Sequence, residues 1–291
     1  SLQPARALGL LELMEDLSSS SALLSSATYS SSSGGDGVES LQPDMIIYST
    51  VIDAIARSGM VDSSCLALHL LDKIECAYLN TRDADVGRGI EGDEAMKPSA
   101  KTYSCVLLAL ANDRKAGNDQ KAWDILDRMK EVGVQPNAFT YNYIINCASY
   151  FVPSDDDVEI RRRKKMETFK IALASFQRLR RCITTTTTLD AGPDSFTYAF
   201  FLKACLNLLP PDDTRRNVVR QTVGECCERG VMSDQILRRL VRRLPEGEVI
   251  DLLSCGSSDG IGVNLKMVKV ADLAPDWSRN VWKKKKRGGS R

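Results

Sequence analysis

Residues 100–149 read AKTYSCVLLALANDRKAGNDQKAWDILDRMKEVGVQPNAFTYNYIINCAS, one complete structural unit and the start of a second. In the first half, Val106, Leu107, Leu110 and Ala111 share one helical face. A break rich in turn-forming and charged residues follows at Asn112–Asn118. In the second half, Ala122, Ile125, Leu126 and Met129 stand at i, i+3, i+4 and i+7, an apolar stripe that packs on a neighbour. Gly133 sits where a left-handed cap ends a helix, and Pro136 forbids any continuation. The unit is a helix, a turn and a second helix.

The frame that opens this unit recurs along the chain. Pro43, Pro98, Pro136 and Pro193 are each followed five residues later by a tyrosine: Tyr48, Tyr103, Tyr141 and Tyr198. In the last three a threonine precedes the tyrosine (Thr102, Thr140, Thr197). The second-helix stripe recurs at Ala7/Leu10/Leu11/Met14, Ala67/Leu70/Leu71/Ile74 and Ala172/Ser175/Phe176/Leu179. A degraded copy runs through Val219, Thr222, Val223 and Cys226. A hairpin of this kind cannot bury both faces alone, so the copies must stack.

Composition narrows the function classes. Basic and acidic residues nearly cancel, 39 against 38, so any footprint for nucleic acid must be local. The nine cysteines follow no framework spacing and form no Cys-x-x-Cys pair. Several fall in apolar helical runs (Cys105, Cys147, Cys205, Cys226), as reduced small hydrophobes do. His69 is the single histidine, which removes most zinc sites and every histidine-dependent triad. No apolar run approaches the roughly 20 residues a membrane span needs. The chain starts at Ser1 inside a repeat fragment, so a leader can be neither seen nor excluded and the true N-terminus is expected to be missing.

These residues resemble the pentatricopeptide-repeat family over roughly residues 5–235, with "QPDMIIYSTVIDAIARSG" and "GPDSFTYAFFLKAC" as further repeat starts. The tryptophan-leucine-glycine-tyrosine pattern of the related tetratricopeptide repeats is absent. The resemblance implies an all-α fold, a right-handed α-solenoid of helix-turn-helix repeats with loop insertions. Residues 1–17 form the second helix of a truncated repeat and 18–40 a serine-rich linker. Repeat 1 covers 41–99 with an insertion at 76–96, and repeat 2 covers 100–137. Repeat 3 covers 138–194 with insertions at 151–165 and 181–192. A degenerate repeat 4 covers 195–234, a basic capping helix 235–245, and a C-terminal segment with a basic tail 246–291. Residues 246–276 carry no clear pattern beyond a weak strand-like alternation over Val263–Val270.

In the family each repeat addresses one RNA base through the residue after the tyrosine and the residue after the closing proline. Carried onto this chain, Ser104 with Asn137 is similar to pairs that favour adenine, and Asn142 with Asp194 to the pair that favours uracil. Ser49 with Ser99 departs from the usual pairs. Ala199 with Asp234 lacks a polar group on its first member. Amides and carboxylates suit such readout because each presents a fixed donor or acceptor pattern. Family stacking positions fall on Ile46, Lys101, Phe139 and Phe196. The two phenylalanines serve either as stacking surfaces or as packing at a helix start, and Lys101 can reach a phosphate.

Three basic segments stand outside this code. Lys283, Lys284, Lys285, Lys286 and Arg287 either grip phosphates, with strong salt dependence, or form a solvated tail or a localisation signal. Arg161–Lys165 follows Asp155–Asp157, which reads as a self-paired loop or a binding patch. Arg238, Arg239, Arg242 and Arg243 line one side of the capping helix, by default a solvated face.

The resulting expectation is a non-enzymatic protein that needs no cofactor, metal, membrane or small-molecule substrate. It binds single-stranded RNA in organelle RNA processing, stability or translation, and the resemblance implies a mitochondrion or chloroplast. The alternative is a protein–protein interaction scaffold whose base reading is lost or minor. A third reading is a subunit of a larger ribonucleoprotein with protein partners.

Overall fold

The computed structural model describes residues 4–27, 43–86, 96–150, 157–182, 192–254 and 269–281. In the described residues the chain is an all-α helical-repeat protein. The helices are α1 (Pro4–Ala27), α2 (Met45–Ser58), α3 (Ser63–Val86), α4 (Ala100–Asp113), α5 (Asn118–Val132) and α6 (Ala138–Ser149). They continue with α7 (Val158–Cys182), α8 (Ser195–Leu208), α9 (Asp213–Glu228), α10 (Asp234–Arg243) and α11 (Glu246–Ser254). Two compact units divide the chain, 1–143 and 144–291, and the division falls inside α6.

In the first unit α1 packs on α2, α2 on α3 and α4, and α4 on α3 and α5. These contacts join helices one or two places apart in the chain, the contact pattern of a stacked array. Leu71, Ile74, Leu107, Leu110, Ile125 and Met129 of the predicted stripes are fully buried, joined by Ile52 and Ile55 of α2, whereas Leu10 of the α1 stripe is 59% exposed. Gly133 ends α5 at φ 75° and donates to the Lys130 carbonyl, while Val134 donates to that of Met129 at 2.7 Å. This is the left-handed closure expected of the glycine.

In the second unit α8 lies against α7, α9 and α10, and α11 against α9 and α10. Phe176 and Phe201 stack at 4.2 Å between α7 and α8, and Tyr198 meets Phe176 edge-on at 5.6 Å. Such pairs add about 0.5–1.5 kcal/mol beyond the area they bury. These rings join the second helix of repeat 3 to the first helix of repeat 4.

Four expectations of loop or irregular chain are corrected. α1 runs to Ala27, well into the serine-rich stretch, and Ser19 bonds back to the Glu15 carbonyl at 2.9 Å. α3 continues to Val86 through the first part of the charged segment 76–96, because Tyr78 is buried and anchors the added turns. α7 begins at Val158, so Arg161–Lys165 are helical rather than loop, and Asp157 caps them by accepting from Glu159 N at 2.8 Å. Pro245 ends α10 and starts α11, whose Val249 N donates to the Pro245 carbonyl at 3.1 Å.

The C-terminal residues 269–281 strap the turn between α9 and α10. Met232 N donates to the Trp277 carbonyl at 2.8 Å, and Asn280 N donates to that of Gly230 at 2.8 Å. Val270, expected at the end of a strand-like run, sits in a 3-10 turn, and Val263–Val268 lies outside the described residues.

Candidate nucleic-acid interface

The recurring proline frame is a helix start, and its chemistry explains its spelling. The residue after the proline is the N-cap, which satisfies amides that have no intrahelical partner. Asp44 accepts from Ile47 N at 2.8 Å and Asp194 from Thr197 N at 2.8 Å. Ser99 accepts from Thr102 N at 3.2 Å and Asn137 from Thr140 N at 3.0 Å. The threonine answers: Ser99 N, Asn137 N and Asp194 N each donate to its hydroxyl at 3.1–3.2 Å. This is a capping box with threonine in place of the usual Glu or Gln. It was legible as a cap-x-x-Thr spacing that the repeat reading passed over.

Two residues past each cap, the side chain faces water. Ile46 keeps 74% of its surface exposed, Phe139 64% and Phe196 54%, and Lys101 is exposed as well. Phe196 lies tilted against Phe200 of its own helix, ring centroids 6.5 Å apart. Each of the two phenylalanines is an open apolar plate beside a helix N-terminus.

The base-reading positions differ among themselves. In repeat 1, Ser49 and Ser99 converge on one hydroxyl, each Oγ lying 3.0 Å from Thr102 Oγ1. In repeat 2, Ser104 is 9% exposed and donates back to the Ala100 carbonyl at 2.8 Å. Asn137 is exposed, and its Oδ1 serves the cap, which fixes the rotamer and turns the amide nitrogen outward. Asn142 is 6% exposed and Asp194 is an exposed cap.

In repeat 4, Ala199 is fully buried and its carbonyl accepts from the Arg239 guanidinium. Asp234 does not hold the position read for it. The N-cap of α10 is Ser233, and the Asp234 carboxylate accepts from Val270 N at 3.0 Å. Three residues separate Gly133 from its following cap, Asn137, and two separate Gly230 from Ser233, so the shorter connector moves the frame by one residue.

Three of the four frame tyrosines, Tyr48, Tyr103 and Tyr198, are buried and bond a carboxylate where helices meet, the first two across the junction between repeats. Tyr48 Oη donates to Glu15 of the preceding second helix at 2.8 Å, and Lys73 donates to the same carboxylate at 2.9 Å. Tyr103 Oη donates to Glu75 at 2.7 Å, and Arg128 reaches Glu75 at 2.6 Å. Tyr198 Oη donates to Glu225 at 2.9 Å, which pairs with Arg180 at 3.2 Å. Burial and the adjacent carboxylate both push the three phenols above their ordinary range. Burial works to raise the Glu15 carboxyl, but hydrogen bonds from Lys73 and Tyr48 outweigh it and hold the group below its ordinary value.

Of the basic segments, α10 departs from a solvated face. Arg239 is half-buried against α8, with its pKa lowered by burial, and Arg243 donates to the Asn207 side chain. Lys283–Arg287, Asp155 and Asp156 lie outside the described residues. Among the described residues no group of three or more His, Cys, Asp or Glu is placed to hold a metal ion, and no helix is long and apolar enough to cross a membrane. Burial pushes the Cys105 thiol up to about 11 and the Cys205 thiol up to about 12, which leaves both as inert hydrophobes.

Residues 93–149, the stretch that decided the fold, match the model of the pentatricopeptide repeat domain. A pentatricopeptide repeat-containing protein of Arabidopsis thaliana is 27% identical over 125 residues, covering 36% of this chain. The match spans 21% of that relative's length.

Proposed function

This chain is a pentatricopeptide-repeat protein, and from that premise we propose that it binds single-stranded RNA, without catalysis, in the processing, stability or translation of organelle transcripts. The observation that carries this is the exposed apolar side chain found two residues past three of the four N-caps: Ile46, Phe139 and Phe196. An exposed apolar side chain beside a helix N-terminus offers a base a stacking surface, worth about 1–3 kcal/mol per aromatic contact, and sets amide dipoles near the phosphates.

In repeats 2 and 3 the exposed members of the pairs, Asn137 and Asp194, carry the reading, while Ser104 and Asn142 are buried beside them. Asn137 presents an amide N–H to the acceptor on the Watson–Crick edge of adenine, and its cap bond prepays the ordering of that side chain. Repeats 1 and 4 contribute little, since the Ser49 and Ser99 hydroxyls serve Thr102 and Ala199 has no polar side-chain atom. With two coded bases, at about 1–3 kcal/mol per base, the chain selects a short step and relies on other contacts, among them the Lys283–Arg287 tail, for affinity. The quiet repeats favour an additional scaffold role for their surfaces, in contact with protein partners of a ribonucleoprotein. A mitochondrion or chloroplast is the compartment consistent with this reading.

The test is fluorescence anisotropy with a short single-stranded RNA holding an adenine–uracil step, against the same RNA with that step changed. Preference for the step, lost in an Asn142→Ala, Asp194→Ala double variant, is the expected result. Binding that ignores sequence, vanishes at high salt and survives the double variant assigns RNA contact to the lysine tail. No binding at either salt overturns the RNA reading in favour of the protein scaffold.

A further inference from the structure

Helices α8 and α10 pack against each other in the second unit. On α8, Phe196, Phe200, Lys203 and Asn207 follow at i, i+4, i+7 and i+11, a single face of the helix. On α10, Arg239 and Arg243 stand one turn apart and both reach across: Arg239 donates to the Ala199 carbonyl and Arg243 to the Asn207 side chain. Asn207 is itself fixed from behind, donating to the Ser149 carbonyl at 2.8 Å. Lys203 sets its ammonium over the Tyr150 ring at the end of α6. Toward the start of α8, Phe196 stays 54% exposed with Phe200 tilted beside it.

The two guanidiniums are held on neutral oxygens alone, and among the described residues neither enters an ion pair. Burial lowers the Arg239 pKa, the Tyr150 hydroxyl works against that shift and Arg243 adds to it. A half-buried cation that meets another cation and no carboxylate carries a cost that a bound anion recovers. The carboxylates nearest in sequence are placed otherwise. Asp234 accepts from Val270 N at 3.0 Å, and Glu248 and Asp251 line a cavity with Arg215, Arg216 and Arg220. Glu246 is exposed at the start of α11 and forms no ion pair. Each arginine commits one of its five donors to α8, which fixes the fork in place and leaves the rest for a ligand.

Fixed guanidinium forks one turn from an open aromatic ring suit an RNA strand, whose phosphates match the fork and whose bases stack on the ring. An acidic protein segment has the charge but no use for the ring. We propose that Arg239 and Arg243 grip the phosphates beside a nucleotide stacked on Phe196, so that α10 supplies affinity at the repeat whose Ala199 reads no base. The grip rests on the RNA reading above and adds to it a backbone contact that carries no sequence information.

The experiment uses the full chain and a fluorescein-labelled RNA, an adenine–uracil step with five uridines on each side, titrated by anisotropy at several salt concentrations. Thermal melts check that each variant is folded. Arg239→Gln with Arg243→Gln should weaken binding about tenfold at low salt. It should also flatten the dependence of log Kd on log salt by about 1.4, the share of two single-strand phosphate contacts. The loss should be equal for the RNA with its adenine–uracil step changed. Arg239→Lys with Arg243→Lys keeps both charges and should retain the slope. If Arg239→Gln disturbs the packing on α8, Arg243→Gln alone, at an exposed residue, should take about half of the slope change.

A folded glutamine variant with an unchanged slope overturns the grip and leaves base reading standing. A loss confined to one RNA sequence also overturns it, because the arginines would then be reading a base. So does a lysine variant as weak as the glutamine one, which would mean that the arginines only brace α10 on α8. An octaglutamate peptide that binds the parent as tightly as the RNA does, and not the glutamine variant, reassigns the stripe to an acidic protein segment. No RNA binding by the parent at any salt overturns both the grip and the RNA reading beneath it.

Discussion

Tyr103 donates its hydroxyl to Glu75 across the junction between two repeats, and Arg128 closes on the same carboxylate. Aligning the second helices on Ala7, Ala67, Ala122, Ala172 and Val219 shows that this clasp has fixed positions. Glu15, Glu75 and Arg180 share one register position, and Lys73, Arg128 and Glu225 share another. At each of these three junctions a tyrosine of the first helix bonds the carboxylate. In the second unit the polarity is reversed: the cation comes from the earlier helix and the carboxylate from the later one. The geometry asks for opposite charges around a phenol and accepts either order.

That tolerance is measurable. Glu15→Arg alone sets two cations together and strips Tyr48 of its acceptor, and Lys73→Glu alone sets two carboxylates together. The pair made jointly recreates the order found at Arg180 and Glu225. Urea unfolding of the four species should give a coupling energy of about 0.5–1 kcal/mol in favour of the double variant, the range for contacting charged residues that are partly exposed. Simple additivity would show that the clasp is only a bystander of helix packing.

The same carboxylate sets an acid response. The Glu15 pKa is lowered in the folded protein, so the unfolded chain binds its proton first as the pH falls. Its contribution is fully present above the unfolded value, near 4.5, and is lost as the pH drops through the folded one. A Glu15→Gln variant should therefore be less stable than the parent at pH 7 and lose less stability between about pH 5 and pH 3. Parallel urea midpoints for the two proteins across that range would contradict the assignment.

Much of this fold is legible because local chemistry repeats. A cap residue, a threonine three positions on, an apolar stripe and a closing glycine each force the same backbone wherever they stand. What escaped the sequence is non-local. The charged segment after Ile74 reads as loop, yet α3 stays helical to Val86, with Tyr78 buried and Arg82 donating to the Glu131 carbonyl at 3.3 Å. Ser233 was missed as a cap because Met232 replaces the proline that anchors the frame elsewhere. The strap 269–281 is held by bonds to main-chain groups of residues 228–232, two from its own backbone and two from the Arg279 and Asn280 side chains, a pairing across about 50 positions that local patterning cannot announce. The base-reading pairs were named by residue type, but whether a hydroxyl points outward or serves Thr102 is a matter of rotamer and neighbour.

Capping and base reading can be separated at Asn137. Its Oδ1 holds Thr140 N, and its amide nitrogen is the group offered to a base. Asn137→Asp keeps the cap and exchanges the outward donor for an acceptor, so stability should change by less than about 0.5 kcal/mol while the preference for adenine is lost. Asn137→Ala should cost about 1 kcal/mol of stability as well. Anisotropy titrations alongside thermal melts of both variants decide the matter, and an Asn137→Asp protein that still prefers adenine would remove Asn137 from the code.

Gly230 tests what the strap contributes. It lies at φ +69°, as Gly133 lies at +75°, so alanine at either site is strained by its backbone. A methyl at Gly133 meets open space, whereas one at Gly230 collides with the Arg279 side chain and the Asp276 carbonyl. Gly133→Ala should cost about 1 kcal/mol. Gly230→Ala must either move the strap or bear the collision. Moving it breaks the bonds from Met232 N to Trp277 O and from Asn280 N to Gly230 O. At a net value of about 1 kcal/mol for each intact bond, the extra loss should be about 2 kcal/mol, and amide exchange at Met232 and Asn280 should accelerate together. Equal destabilisation by the two alanines, with exchange unchanged, would mean that residues 269–281 rest on the α9–α10 turn without holding it.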